Sequence, residues 1–396
     1  MTGEAGSTGR ALVLVDESTS GLRAGGISLQ ERWVKGLSGQ GVGVELVGAG
    51  QLGSALEAAR GGPVLLVWGD NVLETLAMEP LAEGLAGLGA DEVLSLSAPG
   101  LPPAPAVCLG AGVVGRMLDG RIEPGPDAAH LLTQLSVHPG VTVRSHALAE
   151  AWWGRVATPQ DGDAATWALL KRLQWRPGGV VAKYLNRPLS IRMSRYLVNT
   201  PVTPNQTTWF AFFVGLAGIF LIFKGGYWLT LLGAFLLQAN SIIDGIDGEL
   251  ARLRHETSDF GAYLDSVCDE ILNSLLFVGM GYNLMSSGHH PAWFYAGIFA
   301  GIMAFSYALV HWHCKWKHGL GFYWWFEAYK PRKEVQRSTS LLSYFKKLFW
   351  KESYLLIFLL LAAANFFQPL LAISAVAACA IVVLFVIHIP IKRARW

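Results

Sequence analysis

The sequence predicts an α/β domain followed by an all-α, six-helix transmembrane domain. Three observations carry that expectation. The chain has 396 residues, enough for two domains of ordinary size. It is 52% hydrophobic and 15% charged, with a mean hydropathy of +0.37, whereas soluble chains are roughly 25% charged. The apolar excess is also uneven: charges recur up to about residue 200, yet 196–223 and 353–391 contain none. A disordered chain and an ordinary soluble enzyme are both excluded.

The first domain is expected over 1–165. Its short apolar runs at 11–15, 42–47, 63–68 and 92–96 are expected strands, with helices at 30–37, 52–60 and 72–88 between them. Such alternation predicts an α/β sheet of the Rossmann-like kind. Gly48, Gly50 and Gly53 spell GAGQLG after a strand, with Asp70 ending the next. This is a weak dinucleotide signature, since the unit starts at the second strand rather than the first. The first residues carry no apolar signal core, so this domain is expected in the cytoplasm.

Residues 166–200 are expected to be a linker ending in a juxtamembrane amphipathic helix. Helical spacing over 180–199 gathers aliphatic residues on one side, among Lys183, Arg187, Arg192 and Arg195. The segment either lies along the lipid headgroups or is a simple basic anchor, Pro188 being the objection to the former.

The domain over 201–396 offers six spans near the ~20 apolar residues a crossing needs, at 205–223, 228–249, 263–286, 292–313, 353–367 and 369–391. Asn365, Gln368 and Pro369 break the last charge-free run in two. Lys183, Arg187, Arg192 and Arg195 precede the first span, and Arg252 and Arg254 separate the second from the third. A basic loop from Lys315 to Lys351 follows the fourth, and Lys392, Arg393 and Arg395 follow the sixth. The opposite loops offer Lys224, so positive-inside counting places both termini of a multi-pass inner-membrane protein in the cytoplasm. The net charge of +2 gives no polyanion-binding surface, and no nucleic-acid partner is expected. Cys108, Cys268, Cys314 and Cys379 form no CxxC pair, so no structural disulfide is expected.

The most informative stretch is Asn240 to Asp269, which puts Asp244, Asp247, Asp265 and Asp269 at the ends of two apolar spans. Carboxylates there are costly and tend to be functional. Asp244 and Asp247 are three apart on one helix, Asp265 and Asp269 four apart on the next, so a short turn between antiparallel helices would gather all four. Unneutralised they would repel, so the cluster needs cations, and all-oxygen donors suit Mg²⁺ or Mn²⁺. Two such ions facing the cytoplasm imply a phosphate-bearing substrate. Gly245, Gly248 and Gly261 would let a ligand or neighbouring helix approach the backbone, and Arg252 offers a fork for phosphate. Helix capping at the membrane surface would explain one or two of the acids, not four at these intervals.

The stretch reads DxxDGxxAR, eight residues, then GxxxDxxxD, and so resembles the CDP-alcohol phosphotransferases at Asp244, Asp247, Gly248, Ala251, Arg252, Gly261, Asp265 and Asp269. The resemblance covers about 180–396. It implies transfer of a phospho-alcohol group from a CDP-alcohol donor to an alcohol or lipid acceptor, with release of CMP. It further implies two divalent metals held by Asp244, Asp247 and Asp265, with Asp269 as the general base and a further metal contact. Gly248 and Arg252 would line the cytidine diphosphate site, with Gly245, Ala251 and Gly261 beside them. Thr203, Pro204, Asn205 and Thr208 resemble the family's TPNxxT segment, which makes Asn205 and Thr208 nucleotide donors, with helix capping as their other reading. Membrane lipids and a second copy of the chain, as a homodimer, are the expected partners.

The domain order resembles the family of fused inositol-1-phosphate cytidylyltransferase and di-myo-inositol-phosphate-phosphate synthase. There GGISLQERWVKGLSGQGV (25–42) would be the helix after the nucleotide loop, and Asp70 of WGDN a metal-binding acid. The loop itself departs. It reads VDESTSGLRAGG, with Asp16 and Glu17 where amides should cradle a triphosphate and no lysine before Lys35. The expectation is therefore a degenerate nucleotidyltransferase-like domain serving as scaffold, regulator or dimerisation unit. The alternatives are a bifunctional enzyme with a working N-terminal cytidylyltransferase and a non-catalytic membrane scaffold. His311, His313 and Cys314 are expected in juxtamembrane packing, since residues two apart on a helix face different ways. His289 and His290 are expected in solvent, and the aromatic run 322–326 in an interface belt.

Overall fold

A computed structural model describes residues 9–19, 21–48, 50–74, 77–148, 151–176, 178–318 and 351–376. The side chains of His311, His313 and Cys314, most of the basic loop, the aromatic run 322–326 and the far half of the expected sixth span lie outside the described residues. The chain divides into two compact units. The first is Met1–Arg172 with Val198–Thr200 and Arg252–His255; the second is Leu173–Leu197, Pro201–Ala251 and Glu256–Trp396.

The first unit is built on a six-stranded mixed sheet. Its strands are β1 (Arg10–Val15), β4 (Gly43–Gly48), β5 (Val64–Trp68), β7 (Glu92–Ser97), β8 (Ala106–Leu109) and β9 (Thr142–Ala147), in the order β4-β1-β5-β8-β7-β9. A hairpin, β2 (Arg23–Ala24) with β3 (Ile27–Ser28), and a second pair, β6 (Asn71–Leu73) with β10 (Trp153–Arg155), flank it. Strand side chains alternate between faces, and two cores follow. Ala11, Val13, Leu65, Val67, Ala106 and Cys108 join Trp33 and Leu37 of α1 (Leu29–Ser38) and Leu81 and Leu85 of α3 (Met78–Ala86). Leu12, Leu66, Val107 and Leu109 join Leu56 of α2 (Leu52–Ala58), Val114 of α4 (Ala111–Leu118) and Leu131 and Leu135 of α5 (Ala128–Val137). The result is a sheet covered by helices on both faces, and α6 (Pro159–Gln174) follows β10.

Four of the six sheet strands stand where the apolar runs place them, and the differences have local causes. Val72 and Leu73, expected at the start of a helix over 72–88, pair instead with β10 about eighty residues away, and the Trp33 indole donates to the Asn71 carbonyl at 2.9 Å. The helix starts only at Met78, with Pro80 in its first turn where no amide is needed. Strand β8 runs antiparallel to β5 and β7. The Pro102, Pro103 and Pro105 connection of 98–105 is too short for a parallel crossover, which takes about a dozen residues or more. Gly25 and Gly26, both at positive φ (62° and 84°), make the two-residue turn between β2 and β3 that only glycine forms without strain.

The second unit is helical. After a π-turn over Ala182–Asn186 come α7 (Arg187–Leu197), α8 (Pro204–Lys224), α9 (Tyr227–Leu253), α10 (Asp259–Ser286), α11 (Ala292–His318) and α12 (Lys351–Ala363), and residues 368–376 are again helical. Pro188 follows directly on the π-turn, inside a helical run that is continuous from 180 to 197, and a local departure from α-helical bonding of this kind re-satisfies groups that a proline leaves unbonded. Thr203 and Gln206 form a reciprocal capping box at the start of α8, worth about 1 kcal/mol. Among the described residues, α8 and α9 are long and apolar enough to cross a membrane, and 292–306 is a shorter apolar helical stretch. Ile219, Ile222, Leu237, Leu272, Leu276, Met280, Leu355 and Phe358 form the unit's core.

Within the first unit, Arg32 is 2% exposed and donates from Nη1 to the carbonyls of Ala24 (3.3 Å) and Leu253 (2.7 Å). Beside it His255 holds a left-handed conformation (φ 52°) with a buried Nε2 that has no hydrogen-bond partner among the described residues. Burial, then the charges of Arg32 and Lys35, push the His255 imidazole down to about 3, so it folds neutral. The unfolded chain takes up a proton near pH 6.5 and the folded chain does not. Stability from this site is therefore complete above pH 6.5 and is lost progressively as pH falls from there towards 3, by up to ~1.4 kcal/mol per pH unit. His255→Asn, which tolerates the left-handed backbone, is expected to flatten this limb. Chemical unfolding of the two proteins between pH 7 and 4 measures it, and parallel curves would refute the assignment.

Candidate metal centre

The residues expected to act together come from three helices of the second unit and the turn that joins two of them. Asp244, Gly245, Asp247, Gly248, Ala251 and Arg252 lie on the last turns of α9. Gly261, Asp265 and Asp269 lie on the first turns of α10. Five residues separate the two helices, and Ser258 caps α10 by accepting from the Gly261 amide at 3.0 Å. This turn is short enough to bring the acidic ends of two apolar helices side by side.

Asp244, Asp247 and Asp265 each offer a carboxylate oxygen, all within 4.8 Å of one another. At such a separation, two like charges repel by several kcal/mol at an effective dielectric of ~20. Among the described residues, Asp265 Oδ1 is also buried without a hydrogen-bond partner. Three convergent hard oxygens fit a divalent cation bound by oxygen ligands.

Asp269 is not in that group of three. It stands one turn further along α10 and is tied to the group by Lys351, the first residue of α12. The Lys351 ammonium donates to Asp269 Oδ1 and, at 3.3 Å, to Asp244 Oδ2. Sequence reasoning placed Lys351 in the basic loop. Its one visible signal was its position at the lip of an apolar run, and its partners lie 82 and 107 residues away in the chain.

The expected nucleotide residues divide by location. Thr208, on α8, donates its hydroxyl to Asp247 Oδ2, and Asp247 Oδ1 also accepts from the Gly248 amide. Capping of α8 falls to Thr203 and Gln206, which leaves Thr208 on an acid of the group and Asn205 beside α10. A Cβ on Gly261 would stand 3.2 Å from Asn205 Oδ1, so the missing side chain is what admits Asn205. Gly245 meets a different neighbour: a Cβ there would lie 3.3 Å from Ser190 Oγ on α7. Helical spacing puts Arg252 on the face of Gly245 and Gly248, and Ala251 on the face of Asp244 and Asp247.

The first unit has a second place where sequence suggested chemistry. In a sheet of this kind ligands bind beyond the carboxyl ends of strands where the winding reverses, here beyond β1 and β5. Asp16 follows β1 and accepts from the Ser18 amide at 2.9 Å, a bond that holds its carboxyl below the usual range. The amide that could face a phosphate is thus taken by an anion. Asp70, just past β5, is engaged by Arg155 Nε at 2.6 Å and Asn71 Nδ2 at 2.7 Å. Gly50 and Gly53 of GAGQLG flank the start of the short helix α2 with open space around them.

The comparisons agree with the second unit. Residues 201–386 match the family described as CDP-alcohol phosphatidyltransferase. The chain is similar to the bifunctional IPC transferase and DIPP synthase of Aquifex aeolicus, at 37% identity over 38% of this chain and 35% of that one. It is also similar to the protein of the same description from Thermococcus kodakarensis, at 35% identity over 37% and 33% of the two chains. An archaetidylinositol phosphate synthase of Pyrococcus horikoshii is 28% identical over 24% and 49%. The chain thus spans about a third of the length of the first two relatives. Among solved structures, a putative glucose-1-phosphate thymidylyltransferase from Bacillus anthracis covers 41% of this chain and 95% of its own, at 13% identity and a TM-score of 0.30. That value is too low to bear on the fold. The motif, the two helices that carry it and the family match coincide, and the C-terminal half of this chain is a CDP-alcohol phosphatidyltransferase family domain.

Proposed function

We propose that the chain is an integral membrane transferase that moves a phospho-alcohol group from a CDP-alcohol to the hydroxyl of a second alcohol and releases CMP. The observation that carries the reading is the group of three carboxylates within 4.8 Å where two apolar helices meet, with Asp269 one turn away. The relatives' names, which include an archaetidylinositol phosphate synthase, support phospholipid or inositol-phosphodiester synthesis. The domain division is taken as 1–165, 166–200 and 201–396, with six spans, both termini cytoplasmic and a homodimer in the inner membrane.

The reaction joins the acceptor oxygen to the phosphorus that bears the donor alcohol and breaks the bond from that phosphorus to the bridging oxygen, which leaves with CMP. An alcohol hydroxyl is a weak nucleophile at neutral pH, so a base must take its proton. Asp269 is that base. Asp244, Asp247 and Asp265 would hold two ions, Mg²⁺ or Mn²⁺, whose contribution when bound is to neutralise phosphoryl oxygens and the departing phosphate. Thr208 fixes the rotamer of Asp247, and Lys351 counters the charge of Asp244 and Asp269. Asn205, Gly248, Ala251, Arg252 and Gly261 border the nucleotide. No covalent enzyme intermediate is needed.

The bifunctional names of the relatives favour a second reading, in which the N-terminal domain makes the CDP-alcohol. The Asp16–Ser18 bond and the Asp70–Arg155 pair oppose it, since both occupy groups a triphosphate or its metal would need. The N-terminal domain is better explained as a degenerate nucleotidyltransferase-like scaffold.

Purified protein with Mg²⁺ and a panel of CDP-alcohols and acceptors is expected to release CMP, followed by mass spectrometry. Asp269→Asn is expected to reduce turnover by ~10²–10⁴-fold while donor binding persists, and full activity would remove Asp269 as the base. With CTP and any sugar or polyol phosphate, no pyrophosphate is expected, and its appearance would restore the N-terminal site.

A further inference from the structure

The back of α9 carries a polar seam that the reaction just described does not use. Asp244 and Asp247 occupy one side of this helix. By the 100° step per residue, Gly245 and Glu249 point to another, and there α7 lies against it. Glu249 is 3% exposed, Ser190 1% and Ser194 0%. Ser190 Oγ donates to Glu249 Oε1 and Ser194 Oγ to Glu249 Oε2, each at 2.6 Å. The two serines are four apart on α7, and both oxygens of one carboxylate receive them. Gly245 makes this possible, because a larger side chain would press on Ser190. Two turns earlier Asn186 continues the seam, donating to Ser241 Oγ at 3.0 Å and accepting from Gln238 Nε2 at 2.8 Å.

We infer that Glu249 is a positioning residue for the metal centre, and that with Ser190 and Ser194 it locks the rotation of α9 and so aims Asp244 and Asp247. The inference rests on the proposed function for its consequence in catalysis, though not for its effect on metal binding. Rotation of a helix about its own axis moves every side chain it carries. A carboxylate lies about 6 Å from that axis, so a turn of about 10° displaces it by about 1 Å. Metal ligands tolerate only about 0.2 Å. A bidentate clamp two residues beyond Asp247 removes this freedom close to where it matters. Carboxylate is suited to the task because it accepts on both oxygens with strong, short bonds. The arrangement makes α7 part of the active centre's support, in addition to any part it plays at the membrane surface.

The test uses the full chain in detergent and reads the rise in melting temperature on titration with Mg²⁺, alongside CMP release. Glu249→Ala is expected to raise the Mg²⁺ midpoint about tenfold, the lower end of the cost of losing a residue that orients metal ligands. Glu249→Gln still accepts from one serine and can donate to the other, and is expected to recover most of that loss. Ser190→Ala, which removes a single bond, shifts the midpoint the same way by a smaller factor and serves where Glu249→Ala fails to fold. A lower melting temperature with an unchanged Mg²⁺ midpoint in these variants would reduce the clamp to packing and overturn the inference. Glu249→Gln as damaged as Glu249→Ala would do so as well. Wild-type protein stabilised by Mg²⁺ but releasing no CMP from any donor sinks the proposed function alone, whereas no stabilisation by Mg²⁺ at all sinks both.

Discussion

Mutual repulsion among carboxylates brought together at the ends of apolar helices is the constraint on which the rest of the second unit depends. No sequence selected for stability alone would put Asp244, Asp247 and Asp265 within 4.8 Å of one another. Isolated charges in such surroundings are costly, and three of one sign more so. Partners offset part of that cost. Thr208 and the Gly248 amide serve Asp247, Lys351 serves Asp244 and Asp269, and among the described residues Asp265 Oδ1 has no hydrogen-bond partner. What remains unbalanced is the charge a bound cation would cancel, so the cost in folding is recovered on binding.

Such a centre needs a rigid frame, and the second unit supplies it with hydrogen bonds inside an apolar bundle. Asn240 donates to the Ala211 carbonyl at 2.8 Å, and Asn283 to the Ile222 carbonyl and Thr230. Between helices rich in Leu and Phe, bonds of this kind fix register where apolar packing alone would permit sliding. The polar seam behind α9 belongs to the same class, with the difference that it lies next to the acids.

The first unit obeys a different logic. Its sheet buries an alternating apolar pattern on both faces, and this would hold for an active or an inactive enzyme alike. Beyond β1 and β5 the acids are engaged locally: Asp16 accepts from the Ser18 amide and Asp70 is paired with Arg155. Core and strand-end loops share few residues, so the sheet does not dictate what those loops carry.

Much of the fold and of the centre was legible in the sequence, for physical reasons that differ by feature. Period-two and unbroken apolar runs marked β1, β4, β5 and β7, and the long charge-free stretches marked α8 through α10, because burial leaves a periodic trace in the chain itself. The convergence of Asp244, Asp247 and Asp265 was legible because their spacing within one hairpin already defines their geometry. Strand β6 was not, since its partner β10 is remote and its three residues carry no pattern of their own. Lys351 was hidden for the same reason, as were Ser190, Ser194 and Glu249, whose sequence separations of 55 and 59 residues make their bonds a product of helix packing. Local chemistry and periodicity are properties of the chain. Which distant side chain completes a carboxylate is decided only when helices pack, and there the tertiary structure chose one lysine for two acids and two serines for a third.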